Sequence, residues 1–233
     1  MIEPRSSLLP VAQTPPQLYC QLIDAGIDAA SLPSLRDACL MVTSRTRHLL
    51  RGSGKPFSCH LIGVASLVAE ATGDFELTLT GLLHAISQQR LSGGEQPNAS
   101  GGLAGAERVV RLVKNYAVAG DLLPDDMPAD LSDRDACDVR ILQLADHLED
   151  AIDGGPWWHG RPDDIGVEPG GAIERVARMR AMCQQFALAP ALGAPLLLAR
   201  FNTILADWEK MDWPSELRSG WYSSHAPQET SVP

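Results

Sequence analysis

From Ser34 onward the apolar residues recur mostly at intervals of three and four, the spacing that gathers them on one side of a helix. Before that point Pro4, Pro10, Pro15, Pro16 and Pro33 predict an irregular arm over residues 1–33, with room for a short helix near Leu18 to Ala25. Ser34 then caps a helix whose apolar positions Leu35, Cys39, Val42 and Leu49 keep the period until Gly52 and Gly54 stop it. A second helix runs from about Cys59 to Ala71, with Leu61, Val64, Ala65 and Val68 on one face and Gly73 as terminator. Asp74 caps a third, Phe75 to about Gln88, which is apolar almost all round between Leu79 and Ile86 and so is expected at the heart of the core.

Residues 92–106, rich in Gly and Ser and without a period, predict a long surface loop or lid. A fourth helix follows over about Ala106 to Ala119. Ser132 with Asp135 opens a fifth, Asp133 to Asp153, whose apolar face is Ile141, Ala145, Leu148 and Ile152. After an irregular connection over 154–171, two more helices are expected at Ala172 to Phe186 and Pro195 to Met211, and the tail from Trp213 is polar and broken by proline. No stretch alternates long enough to read as a strand. The chain therefore reads as all-α, with an arm over 1–33, a helical domain over 34–212 and a tail over 213–233.

Composition supports one sizeable helical domain: 233 residues, 45% hydrophobic, 21% charged and only 5% aromatic. A net charge of −10 disfavours nucleic acid and anionic membrane surfaces as partners, while a small anion in a local pocket stays compatible. Five scattered cysteines with no CxxC pair argue against a disulfide framework or zinc knuckle and for reduced thiols in a cytoplasmic setting. The greasiest segment, Ala187 to Ala199, is short and interrupted by Pro190 and Pro195, so no membrane span is expected. Whether the chain forms a homo-oligomer is left open.

Candidate chemistry sits on the helices expected to be buried. His60 and His84 need partners there, either ordinary core hydrogen bonds or a ligand. Asp146 and Asp150 lie four apart on one helix face with Glu149 and Asp153 flanking them, which fits a solvated acidic stripe or a ligating face. Two imidazoles and a carboxylate from separate helices make a sound set for a divalent first-row metal. Arg51, at a helix end beside a Gly-Ser-Gly turn with free N–H groups, is either an anion contact or a solvated charge complementing the helix dipole. Phe57 could stack on a flat ligand or plug the core. His48 reads as a surface residue near the pocket mouth. Trp157, Trp158 and His159, and further on Trp221 and Tyr222, could cover a pocket or serve packing alone.

The stretch RGSGKPFSCHLIGVASLVAEATGDFELTLTGLLHA, Arg51 to Ala85, together with QLADHLED, Gln143 to Asp150, resembles the HD-domain superfamily, most closely the hydrolase domain of alarmone (guanosine tetraphosphate) synthetase/hydrolase enzymes. Arg51 and His60 match the family's R-x-S-G-x-P-[YF]-x-x-H. His84 matches the second ligand histidine, inside A-x-L-L-H-D, and Asp146 the final ligand, the aspartate of L-A-D-R-L. Asp150 stands where the family has a substrate-contacting Asn. The resemblance spans roughly residues 35 to 155 and implies an HD-like helical bundle with metal ligands His60, His84 and Asp146.

Two departures change what the resemblance implies. Ala85 replaces the aspartate of the family name, and Gln88 and Gln89 replace the Glu-Asp pair that positions the attacking water. An amide takes no proton from water at neutral pH, so alarmone hydrolysis by the family's route is not expected. A less studied HD-like bacterial branch has H-L-x-G-V, A-G-L-L-H-A and L-A-x-x-L-E-D, similar to His60 to Val64, Thr80 to Ala85 and Leu144 to Asp150.

The resulting expectation is an enzyme acting by hydrolysis or a related tailoring step on a small phosphorylated or carboxylated metabolite. His60, His84 and Asp146 would hold Zn²⁺, Mn²⁺ or Fe²⁺, and Asp150 or His147 would move the proton. Arg51 and Phe57 would bind the substrate, with Gln88 and Gln89 orienting it. Three alternatives stand beside it: a metal-free pocket in which the histidines bond to Asp146, a catalytically silent relative that binds a ligand or protein partner, and an iron-dependent oxygenase.

Overall fold

The helix carrying His60 packs against five others, and the architecture follows from that. The computed structural model describes residues 11–51, 54–86, 106–119, 131–153, 180–181, 183–184 and 195–210. Within them the fold is all-α, with helices α1 (Pro15–Asp24), α2 (Leu32–Thr46), α3 (Phe57–Thr72), α4 (Phe75–Leu83), α5 (Glu107–Ala119), α6 (Asp133–Ile152) and α7 (Pro195–Lys210), and no strand among the described residues. A single pair, Leu50 with Pro56, forms an isolated β-bridge.

Helix α3 is buried on both faces, a fuller burial than the single apolar face its sequence predicts: Leu61, Ile62 and Ala65 join a cluster with α1, α2 and α4, while Val64, Leu67 and Val68 join one with α5, α6 and α7. Its boundaries have local causes. Pro56 precedes the first turn, where a missing N–H costs nothing. Gly73 closes the helix in the left-handed region at φ 62° and returns its N–H to Ala69 C=O. One residue later the Asp74 carboxylate accepts from Leu77 N–H at 3.0 Å and starts α4. Ser132 opens α6 the same way, accepting from Asp135 N–H at 3.1 Å.

Several expectations need correction. The arm contains a core helix: Leu18 and Leu22 of α1 are fully buried against α3, and two of the prolines that suggested irregularity, Pro15 and Pro16, stand at its first two positions. The first core helix stops at Thr46 rather than at Gly52. Its continuation folds back as a loop whose main-chain groups satisfy one another, Arg51 N–H to Lys55 C=O at 2.8 Å and Phe57 N–H to Leu49 C=O at 3.0 Å. The third helix ends at Leu83, with His84 as its cap. On α6, Ala151 takes the buried place expected of Ile152, which is 37% exposed.

Arg108 of α5 ties the N-termini of α4 and α6 together through Asp74, Glu76 and Asp138. Arg200 of α7 pairs with Glu70 of α3, and Phe201 is wholly buried in the cluster around α6. All five cysteines are free, and burial pushes the Cys39 thiol up to about 11. No helix among the described residues is long and apolar enough to cross a membrane. The expected glycine-rich loop, the Trp157–His159 connection, most of the helix over 172–186 and the tail lie outside the described residues.

Candidate metal centre

Three helices bring His60, His84 and Asp146 to one point. His60 sits in the first turns of α3 at 1% exposure and His84 caps α4 at 3%. Asp146 lies midway along α6, its side chain 21% exposed. Oδ1 of Asp146 is 3.0 Å from Nε2 of His60 and 3.7 Å from Nε2 of His84. The two rings meet nearly edge to face, 5.7 Å between centroids.

Each of the three has its remaining polar atom engaged elsewhere. His84 Nδ1 lies 2.6 Å from the Gly81 carbonyl, so it donates its proton there and leaves the Nε2 lone pair facing Asp146. His60 Nδ1 lies 2.6 Å from Oε2 of Glu149. The Tyr116 hydroxyl donates to Asp146 Oδ2 at 2.5 Å, with its ring edge-on to His84 at 5.0 Å. Two nitrogens and one oxygen are left pointing inward.

Electrostatics follow this arrangement. Burial works against a charged His60, but hydrogen bonds to Asp146 and Glu149 outweigh it and raise the imidazole to about 9. Burial pulls His84 down and keeps it neutral. Asp146 is held well below the usual carboxylate range because His84 and His60 outweigh its desolvation. Among the described residues Asp146 forms no ion pair with a lysine or arginine, and its carboxylate faces the two imidazoles and the Tyr116 hydroxyl.

The donor set fits a metal ion. Two ligands at about 2.0–2.1 Å from one tetrahedral ion lie roughly 3.3 Å apart, and the two contacts to Asp146 Oδ1 bracket that separation. All three donor atoms fall within 4.8 Å of one another. A second trio, His60, Glu149 and Asp150, also satisfies that distance. Its carboxylates are already paired, however, Glu149 with Lys55 and Asp150 with Arg51.

The remaining expected residues divide. Arg51 does reach the site but ends on Asp150, with its guanidinium 5.6 Å above the Phe57 ring. It lies beyond a helix end, in the fold-back loop, and Gly54 N–H is used by Arg51 C=O rather than free for an anion. Phe57 plugs the core beside His60, with ring centroids 5.5 Å apart. Asp150 comes within 3.6 Å of His60 Nδ1. His147 is half-buried and acts on Asp146 only through its field. His48 is exposed. Gln88 and Gln89, like Trp157, Trp158, His159, Trp221 and Tyr222, lie outside the described residues. Ala85 is buried and brings no donor.

The acidic stripe is not solvated, since Glu149 is only 1% exposed. Sequence reasoning missed its role, along with those of Tyr116 and Lys55. One signal was present: Gly63, three residues after His60 in an otherwise bulky apolar helix, marks a close approach. Comparisons with models of protein families, with curated proteins and with solved structures each return no match.

Proposed function

We propose that this chain is an HD-like enzyme that uses one divalent ion, held by His60, His84 and Asp146, to hydrolyse or otherwise tailor a small phosphorylated or carboxylated metabolite. The observation that carries the reading is the convergence of two Nε2 atoms and one carboxylate oxygen from three helices, with the far side of each ligand already bonded. Two imidazoles and a carboxylate suit Zn²⁺, Mn²⁺ or Fe²⁺. Bound there, such an ion supplies Lewis acidity and brings the pKa of water toward about 7.

The chain's own residues account for the rest. His84 presents a correctly oriented Nε2 because its Nδ1–H donates to the Gly81 carbonyl. Arg51 and Asp150 neutralise each other at rest, so they serve as anion anchor and base only in sequence. A substrate anion that takes over the guanidinium releases the carboxylate, which is then free to accept a proton. Phe57 holds the guanidinium from below rather than stacking on a ligand.

A second reading, a catalytically silent relative that binds a small anion, has support in Ala85 and in the same Arg51–Asp150 pair, which occupies the Asp150 carboxylate at rest. Elemental analysis of tag-free protein, followed by phosphate-release assays across phosphorylated metabolites, separates the two. Near-stoichiometric metal and turnover that vanish together in a folded His84→Ala variant support the enzyme. Turnover retained by that variant overturns it, and stoichiometric metal without turnover favours the binder.

A further inference from the structure

Glu149 lies behind His60, away from the atoms that would bind an ion, yet three separate parts of the chain are arranged around it. Its carboxylate is 1% exposed, a burial that is costly without compensation. Compensation comes from three elements: His60 Nδ1 at 2.6 Å, the Lys55 ammonium from the fold-back loop, and Gln13 Nε2 at 3.4 Å from the segment before α1. Lys55 is itself steadied by Asp153 at 2.6 Å, one turn further along α6. Room is made as well, because a Cβ on Gly63 would fall 2.5 Å from Oε1 and 2.7 Å from Cγ of Glu149.

Packing alone does not explain this, since an apolar side chain of similar volume commonly stabilises a buried site as well as an ion pair does. What a carboxylate adds is a fixed acceptor for the His60 Nδ1 proton. With that proton held outward, Nε2 is the nitrogen that faces Asp146 Oδ1 at 3.0 Å, where a metal ion would replace its proton, and the neighbouring negative charge strengthens it as a ligand.

We propose that Glu149 is the positioning residue of the metal centre, orienting His60 and raising its donor strength toward a divalent transition-metal ion, with Lys55 as its counterion and Gly63 as the gap that admits it. The inference rests on the metal reading above. A competitive Co²⁺ titration of the full-length, tag-free protein, followed by visible absorption, tests it. Wild-type protein takes up one equivalent, Glu149→Gln binds about 10–100-fold more weakly at the same stoichiometry, and His84→Ala loses the site.

In Zn²⁺-loaded samples the His60 Nδ1 proton, bonded to a carboxylate, resonates far downfield, and it moves upfield in Glu149→Gln. Gly63→Ala, which crowds the carboxylate without deleting it, shifts the affinity in the same direction and serves if Glu149→Gln does not fold. Unchanged Co²⁺ affinity in folded Glu149→Gln or, where that variant does not fold, in Gly63→Ala overturns this inference alone, provided His84→Ala still abolishes binding. Absence of Co²⁺ binding by wild-type protein overturns the metal reading and the inference with it.

Discussion

Glu149 occupies the space that any side chain at position 63 would need: the nearest approach of a Cβ there is 2.5 Å, to Oε1. Alanine at position 63 gains about 1 kcal/mol in helix propensity. It must also push aside a carboxylate held by His60 and Lys55, and overpacking of this kind costs about 1–3 kcal/mol. Urea unfolding of Gly63→Ala should therefore show a net loss of up to about 2 kcal/mol. A variant more stable than wild type would mean that Glu149 moves away freely.

Tyr116→Phe removes the donor to Asp146 Oδ2. Hydrogen bonds to charged groups contribute about 1.5–3 kcal/mol, and the 21% exposure of Asp146 lets water replace part of that. A loss near 1 kcal/mol in urea unfolding is expected, with an unchanged far-ultraviolet spectrum. A loss above about 3 kcal/mol would show that the phenol holds α5 to α6 rather than adjusting one carboxylate.

Asp74 governs part of the acid limb of stability. Burial alone would raise its carboxyl, but Arg108, the Leu77 N–H and Arg134 together hold it below its ordinary 3.8. A group with a lowered folded-state pKa contributes fully above its unfolded value and loses that contribution as pH falls through the lowered one. Asp74→Asn keeps a good helix cap while removing the charge. The variant should be less stable than wild type near neutrality, and the gap should close as pH drops below about 3.8. A gap independent of pH would show that titration of the Asp74 carboxylate plays no part in it.

Phe201 tests whether α7 belongs to the core. It is fully buried with Val64, Leu142 and Leu148 in one cluster, and truncating a buried phenylalanine costs about 3–5 kcal/mol. Phe201→Ala should lower the urea midpoint accordingly, without a separate early transition. An early partial transition would instead mark α7 as a unit that unfolds by itself.

The starts of α4 and α6 were legible because they rest on local chemistry: Asp74 and Ser132 cap from within three residues, and Gly73 terminates α3 by its own φ. Ser34, expected to cap the first core helix, instead lies inside α2, which begins at Leu32. The His60, His84 and Asp146 trio was legible through a family resemblance, not through periodicity, since nothing local relates residues so far apart in the chain. The same limit hid the rest. Proline density is the same whether it breaks a segment or starts α1, and only the burial of Leu18 and Leu22 decides between them. Four acidic residues in a row of turns read as a solvated face until Lys55 and Arg51, nearly a hundred positions earlier, are brought against three of them, Glu149, Asp150 and Asp153.

The three ligands differ sharply in their access to water: 1% and 3% exposure for the imidazoles against 21% for the carboxylate. Among the described residues, the ligand that water reaches most readily is therefore the one on α6. A chelator in the medium would meet the carboxylate of a seated ion before either nitrogen, and the nitrogens would yield only as the helices part. Residence time would then be set by the breathing of α6 against α3 rather than by equilibrium affinity. Protein stripped by brief chelation and protein stripped by partial unfolding should differ in metal content even when both reach the same final buffer.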